Sequence, residues 1–330
     1  AMAYNDADGL VDIFGGMDDI KNKIIRAVGN PIDRFSEDNL RVLRALRFAS
    51  RYGFRIEKNT LDAMLKLSPL VRENISAERI GSEFLKTVSG KYFCDVMLVY
   101  EQAKVFFNVF PEFEKMNGFD QHSKYHSMDI WKHTLTSVKN IYGNGEILSL
   151  AMLFHDFGKP ECFSTDESGE GHFYGHPEIS EEKARKFLIS LRFPNKDIDK
   201  ICTLVRNHHR NITSKKSAIK AISLLGYDGC LDLLKVKNAD RMAQSDYAIN
   251  KFPDENKQEL DVLSKAYTSP QCVRNEKALC ISGNDIIALG VPQGRKIGAI
   301  LSSLLEAVQD GKVDNEKEQL INYVKNNLLH

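Results

Sequence analysis

The chain has 330 residues, with 45 lysines and arginines against 45 aspartates and glutamates, so its formal net charge is zero. That describes a soluble globular protein of two or more domains, and it leaves a nucleic-acid partner open, because a local basic stripe suffices for phosphate contacts. Six cysteines at 94, 162, 202, 230, 272 and 280 form no CxxC pair, which argues against a disulfide framework or a cysteine zinc site and fits a reducing cytoplasm; no apolar run crosses a bilayer and no secretory signal opens the chain.

In chain order, Val11–Phe14 and Ile24–Val28 have the β-branched, apolar character of short strands, with a short helix from Met17 to Lys23 between them. Two strands cannot bury their own faces, so this edge needs preceding chain or another packing partner. Gly29-Asn30-Pro31 punctuates the segment. From there the signal is helical. Ser36 is an N-cap for a helix from Glu37 to about Tyr52, stopped by Gly53, and further helices are expected at Lys58–Leu67, Ala77–Val88 and Tyr92–Gln102. Pro111 and Asn117-Gly118 mark a boundary. A second helical block runs from about Met128 to Tyr247, broken by the polar loop Asp166–Gly175. The stretch from Ala248 to Glu276, with Pro253 and Pro270, is charged and loop-like at both ends; then come a helix to Leu289, a Gly-Pro turn and a long helix to about Val308.

Arg41, Arg44, Arg47, Arg51 and Arg55 recur every three or four residues, which places them on about a third of a helix circumference, with Val42, Leu43, Leu46 and Ala49 across from them. Glu37 and Asp38 are expected in the first turn, facing the positive helix end. A solvated amphipathic face with ion pairs to neighbours explains such a stripe. So does a phosphate- or base-binding face, since all five cations are arginine, the planar multi-donor side chain.

The motifs make the reading specific. Asp12-Ile13-Phe14-Gly15-Gly16-Met17-Asp18-Asp19 resembles the D-x-x-G-G-x-x-D segment of class II tRNA nucleotidyltransferases and their poly(A) polymerase relatives. Glu37-Asp38-Asn39-Leu40-Arg41-Val42-Leu43-Arg44-Ala45-Leu46-Arg47-Phe48 is similar to their E-D-x-x-R-x-x-R-A-x-R-F motif, and Ser76 to Glu83 to the neck motif that follows. The resemblance implies that Asp38 and Arg41 act as an amino-acid template for C and A, that Arg44 and Arg47 contact the nucleotide, and that Glu37 holds the pair in place. A carboxylate–guanidinium pair can mimic a base-pairing edge, and the wrong base would leave a buried polar group unpaired. The family's head carries a G-G-x-V-R-D loop followed by a D-x-D pair that holds magnesium; that loop, and hence the loop-and-pair combination, does not occur in these 330 residues. Asp6-Ala7-Asp8 has the D-x-D spacing without the glycine loop and reads as loop acid. This chain alone is therefore expected not to transfer nucleotides. Magnesium, ATP and CTP would serve transfer together with a head from elsewhere, a separate chain being one source.

A second constellation follows: His133, His155-Asp156 with Gly158-Lys159, His176, His208-His209 and Asp240. A lone His-Asp pair is usually structural, but the ordered set resembles the H…HD…H…H…D pattern of HD-domain phosphohydrolases. Imidazole and carboxylate suit borderline divalent metals, which activate water toward phosphoesters. The resemblance implies that His133, His155, Asp156 and Asp240 hold one metal (nickel, manganese, cobalt or iron), that His176 and His208 assist a second metal or the phosphate, and that Lys159 contacts phosphate. His209 is a weaker alternative to His208. His122, His126 and His172 stand outside the pattern, with His126 either supporting the site or merely structural. At the C-terminus, Ile281 to Ile287 and Gly290 to Gly298 resemble the tail of Firmicute CCA-adding enzymes, which implies contact with tRNA; an ordinary helical hairpin explains the same residues.

The expected architecture is mainly α. Residues 1–30 form a small β-hairpin remnant of the nucleotidyltransferase head, 31–115 a helical neck for templating and RNA binding, 116–250 a helical HD domain, and 251–330 a tRNA-binding tail. The implied function is the C-terminal part of a tRNA CCA-adding enzyme, with tRNA, ATP and CTP as partners, no membrane and a cytoplasmic location. The alternatives are a free-standing HD phosphohydrolase acting on RNA-terminal or nucleotide phosphoesters, and a silent RNA-binding module.

Overall fold

The computed structural model describes residues 2–7, 9–123, 125–251 and 255–329; Ala1, Asp8 and Pro253, named above, lie outside them. The architecture is mainly helical, with three two-stranded ladders among the described residues. No helix among them is long and apolar enough to cross a membrane. The chain divides into two compact units, Ala1–His208 with Val236–Phe252, and His209–Lys235 with Pro253–His330.

In the first unit, strands Ala3–Asn5 and Gly9–Val11 pair antiparallel. The strand expected over Val11–Phe14 ends at its first residue. The Asp12 carboxylate accepts from the Gly16 and Met17 N–H groups, both at 2.7 Å, and closes a turn that leaves Ile13 exposed. Ile24–Ile25 pairs parallel with Arg55–Ile56, and the ladder goes no further because Ala27 N–H donates to the Thr60 hydroxyl. Asn30 then caps a helix the sequence reading did not anticipate, Pro31–Glu37, with proline in its first turn.

The arginine helix consequently begins at Leu40, not Glu37. Asp38 between the two helices is extended (φ −151°, ψ 100°), so Glu37 closes the earlier helix instead of opening this one. The stop is as expected: Gly53 sits at φ 69° and donates to the Ala49 carbonyl. Helices Lys58–Leu67 and Ala77–Val88 form as read, whereas the helix expected over Tyr92–Gln102 is broken into Phe93–Met97 and Tyr100–Val109 by extended backbone at Val99.

Behind these elements lies an aromatic core. Phe84 contacts the rings of Phe106, Phe110, Phe113, Phe154 and Phe187, with centroids 4.9 to 6.5 Å apart. Gly81 permits this approach, because a Cβ there would lie 2.6 Å from the Leu191 carbonyl oxygen. The core fixes the helices that carry the second constellation: Ile130–Ile141, Glu146–Phe154, His176–Ser190 and Asn195–Asn207.

The second unit packs helices Gly283–Ala288, Arg295–Gln309 and Lys317–Asn327 around Ile286, Ile300, Leu304, Val308, Leu320 and Val324. Ser282 and Asp285 form a reciprocal capping box at the first of these. Helix Glu255–Tyr267 fills the middle of the stretch read as loop-like at its ends, and Lys215–Arg241 is interrupted at Gly226 (φ 71°, ψ 168°).

Candidate functional site

The arginine helix buries Val42, Leu43, Ala45, Leu46 and Ala49 and turns its other face outward. There a cavity of about 560 Å³ is lined by Arg41, Arg44, Phe48 and Ala45, by Arg34 and Phe35 of the preceding helix, and by Phe14 and Ile25–Val28. Arg26 therefore joins Arg34, Arg41 and Arg44 around one pocket with three aromatic rings, Phe14, Phe35 and Phe48. Glu37 organises its rim by accepting from Arg41 at 2.7 Å and from Arg34 at 3.0 Å, and Arg41 followed by Arg34 holds its carboxyl below the usual range. Arg41 also donates to the Arg34 carbonyl at 2.8 Å.

The other expected nucleotide contacts lie elsewhere. Asp38 accepts from Leu40 N–H at 3.1 Å and pairs with Arg79 at 3.2 Å, and it is not in the cavity wall. Arg47 is turned inward to Glu83 at 2.9 Å, with its guanidinium over the Phe48 ring. Sequence reading missed Arg26 and Arg34. The first lies in a strand-like segment with no arginine period, and the second on an unanticipated helix.

The histidine–carboxylate residues converge. His133, His155, Asp156, Lys159, His176, His208 and Asp240 are all buried in the first unit. Each imidazole is oriented by a backbone carbonyl on its Nδ1: Ala243 for His133 at 3.2 Å, Met152 for His155 at 2.6 Å, Phe173 for His176 at 2.8 Å and Val205 for His208 at 2.6 Å. A carbonyl only accepts, so each Nδ1 carries a hydrogen, and each Nε2 presents a lone pair once its own proton is lost or replaced by a cation. Those lone pairs face acceptors. His133 Nε2 lies 2.9 Å from Asp240 Oδ1 and 3.4 Å from His155 Nε2, while His176 and His208 bring their Nε2 atoms to 3.2 Å. Such contacts need a proton or a cation between them.

Asp156 sits in the middle. Its Oδ2 is 3.2 Å from His155 Nε2 and 2.7 Å from Lys159 Nζ, and its Oδ1 is 3.4 Å from His176 Nε2. Neither oxygen receives a well-aligned hydrogen bond; we read the short Lys159 approach as Coulombic pairing with unspent coordination capacity on the carboxylate. Burial opposes charge on Asp156, but His155 and Lys159 prevail and hold it well below the usual carboxylate range. Burial likewise disfavours a charged His155, yet Asp156 and Asp240 push it up to about 10. Imidazole nitrogens, two carboxylates and these opposed lone pairs suit a divalent cation. His133, His155 and Asp240 alone bring three ligand atoms within 4.8 Å of one another.

The expected phosphate contact, Lys159, is held by Gln121 at 2.8 Å, a fully buried residue the sequence did not flag. Gly158 matters by its missing side chain. A Cβ there would meet Ser180 N at 2.6 Å and His176 O at 2.9 Å, so the glycine lets the His176 helix close on the centre. His126 packs edge-on against His133 at 4.9 Å and is pushed down to about 3 by burial and then by Lys159. His122 and His172 stand outside, against Phe163 and Asp166 respectively.

Two family models match. Residues 171–324 fit "tRNA nucleotidyltransferase domain 2 putative", and residues 53–116 fit "Probable RNA and SrmB- binding site of polymerase A". The chain is 27% identical over 314 residues to the CC-adding tRNA nucleotidyltransferase of Thermus thermophilus, covering 92% of this chain and 70% of that protein. It is 25% identical to the A-adding tRNA nucleotidyltransferase of Deinococcus radiodurans, covering 96% and 74%. The Bacillus stearothermophilus CCA-adding enzyme in complex with CTP shares its fold at a TM-score of 0.69 and 22% identity, covering 98% of this chain and 70% of that one.

Proposed function

We propose that this chain is a member of the CCA-adding tRNA nucleotidyltransferase family, to whose models and relatives it is similar, and that it acts in tRNA 3′-end maturation as the templating, tRNA-binding and phosphohydrolase portion of such an enzyme. The observation that carries the reading is the cavity that Arg26, Arg34, Arg41 and Arg44 line together with three aromatic rings. Guanidinium groups suit a triphosphate and the polar edge of a base, and a ring offers it a stacking face. Residues 31–115 hold the nucleotide. Arg41 donates to the base under the control of Glu37, Asp38 accepts from the exocyclic amine of C or A once released from Arg79, and Arg44 meets phosphate. Arg47 supports the helix from behind.

ATP and CTP are the nucleotides and tRNA the acceptor in this reading, with 251–330 on the tRNA. Transfer itself needs magnesium-binding carboxylates of a kind these 330 residues lack. We therefore expect the isolated chain to bind CTP and ATP without extending tRNA. Equilibrium binding tests this: Arg41→Ala should weaken CTP by about 1–3 kcal/mol, roughly five- to 150-fold in Kd, and Asp38→Ala should narrow the gap between CTP and GTP. Equal Kd values for CTP in wild type and Arg41→Ala would refute the pocket.

The opposed Nε2 atoms support a second activity in residues 116–250. His133, His155, Asp156 and Asp240 would hold a divalent transition metal such as manganese, nickel, cobalt or iron, with His176 and His208 beside it. A cation there supplies Lewis-acid activation of water toward a phosphoester. The chain's own part is to orient each imidazole through its carbonyl, to exclude bulk water by burial, and to place the Lys159 ammonium against the phosphate. Metal analysis and hydrolysis of a 2′,3′-cyclic nucleotide test it. His155→Ala or Asp156→Ala should lose both the metal and turnover while keeping the helical circular dichroism; a metal-free wild type with no hydrolysis would leave the templating role alone.

A further inference from the structure

We propose that Tyr174, stacked on His172, is a nucleobase platform beside the histidine–carboxylate centre and sets its preference for base-bearing phosphoesters. The proposal rests on the phosphohydrolase reading of that centre and adds a specificity-determining residue to it.

Tyr174 is 79% exposed, although it sits two residues before buried His176. Its ring lies nearly coplanar with the His172 imidazole, at 10° and a centroid separation of 5.3 Å. One face of the tyrosine is thus backed by a second ring and the other is presented to solvent. The pair is also fixed in place. His172 Nε2 meets the Asp166 carboxylate at 3.0 Å, and Asp166 in turn accepts from the backbone of Ser168 and Glu170. The strands Ser164–Thr165 and Gly171–His172 close this hairpin. Gly171 seats it, donating to the His122 carbonyl at 2.8 Å, and a Cβ at Gly171 would come within 2.2 Å of the Gln121 carbonyl oxygen.

A large ring held out on a pinned hairpin loses little conformational entropy when a ligand stacks on it, and base–aromatic stacking is strong and tolerant of base identity. Two residues of chain span at most about 7 Å, so the platform's backbone lies within one nucleotide's reach of His176. The proposal places the phosphate at the centre and its base on Tyr174, joined by a single ribose. A base-free phosphate would leave the platform unused.

The test measures kcat/KM of the manganese-loaded chain for 2′-AMP, for a short RNA ending in a 2′-phosphate, and for glycerol 2-phosphate, which has the same ester without a base. Wild type should prefer the base-bearing substrates, and Tyr174→Ala should cut that preference roughly five- to hundredfold, chiefly through KM, with Tyr174→Phe retaining it. Loss on the RNA alone would sustain the platform and place the neighbouring base on it. An unchanged preference in Tyr174→Ala overturns the proposal. If wild type hydrolyses nothing, binding of 2′-AMP to the same protein decides: weaker binding by Tyr174→Ala keeps the platform while the hydrolytic reading falls, and equal binding, or none by wild type, removes the platform.

Discussion

Arg47 and Glu83 show how a single pairing redirects a motif. The ion pair is nearly buried, with side-chain exposures of 16% and 8%, and it is one-pronged: Arg47 Nε and Glu83 Oε2 have no partner. Replacing one partner strands the other charge, which costs roughly 3–5 kcal/mol in buried pairs, whereas replacing both with apolar groups is far milder. Glu83→Leu should therefore lower the urea midpoint strongly, and Arg47→Met with Glu83→Leu should recover most of the loss. If Arg47→Met instead left stability intact while weakening CTP, the arginine would belong to the pocket after all.

At the scale of elements, the centre depends on how closely the His176–Ser190 helix can approach the His155-Asp156 turn. Gly158 sets that distance: its N–H donates to the Ser180 hydroxyl at 2.8 Å, and the space for a Cβ is filled by backbone of the helix. Gly158→Ala must push the helix outward, at an overpacking cost of about 1–3 kcal/mol, and carry His176 away from Asp156. A lower melting temperature together with weaker manganese binding is the expected pair of results. Wild-type metal affinity in this variant would show that the helix does not position the site. The arginine helix teaches the complementary lesson. Its start at Leu40 follows from the extended Asp38, and this break lets Glu37 reach Arg34 and Arg41 together.

For the whole molecule, the buried centre makes stability depend on pH. His155 is raised to about 10 from an unfolded value of 6.5, so its contribution is fully present below pH 6.5 and is lost as pH rises through about 10. His126 runs the other way: lowered to about 3, it contributes above pH 6.5 and loses that contribution as pH falls through its folded value. In EDTA the urea midpoint should decline from pH 6.5 toward pH 9. Manganese should flatten that alkaline limb, because a cation then takes the proton's place between the same carboxylates. An EDTA curve that is flat or rising over this range would contradict the assignment.

Residue order and local chemistry alone were enough to read a mainly helical chain, the glycine stop at Gly53, two helices to the residue, the His-Asp series and the arginine stripe as far as Arg51, with Arg55 falling beyond the helix end in a strand, because periodicity, caps and motif spacing act within a few residues. The helix Pro31–Glu37 was missed although its signals, Asn30 and Pro31, are local. What only tertiary structure decided is where each side chain is committed. Asp38 meets Arg79, Arg47 meets Glu83 and His133 meets Asp240 across separations of 41, 36 and 107 residues. Such pairings follow from how a shared aromatic core packs the helices, and no local pattern specifies which arginine faces the pocket or which imidazole nitrogen faces a carboxylate.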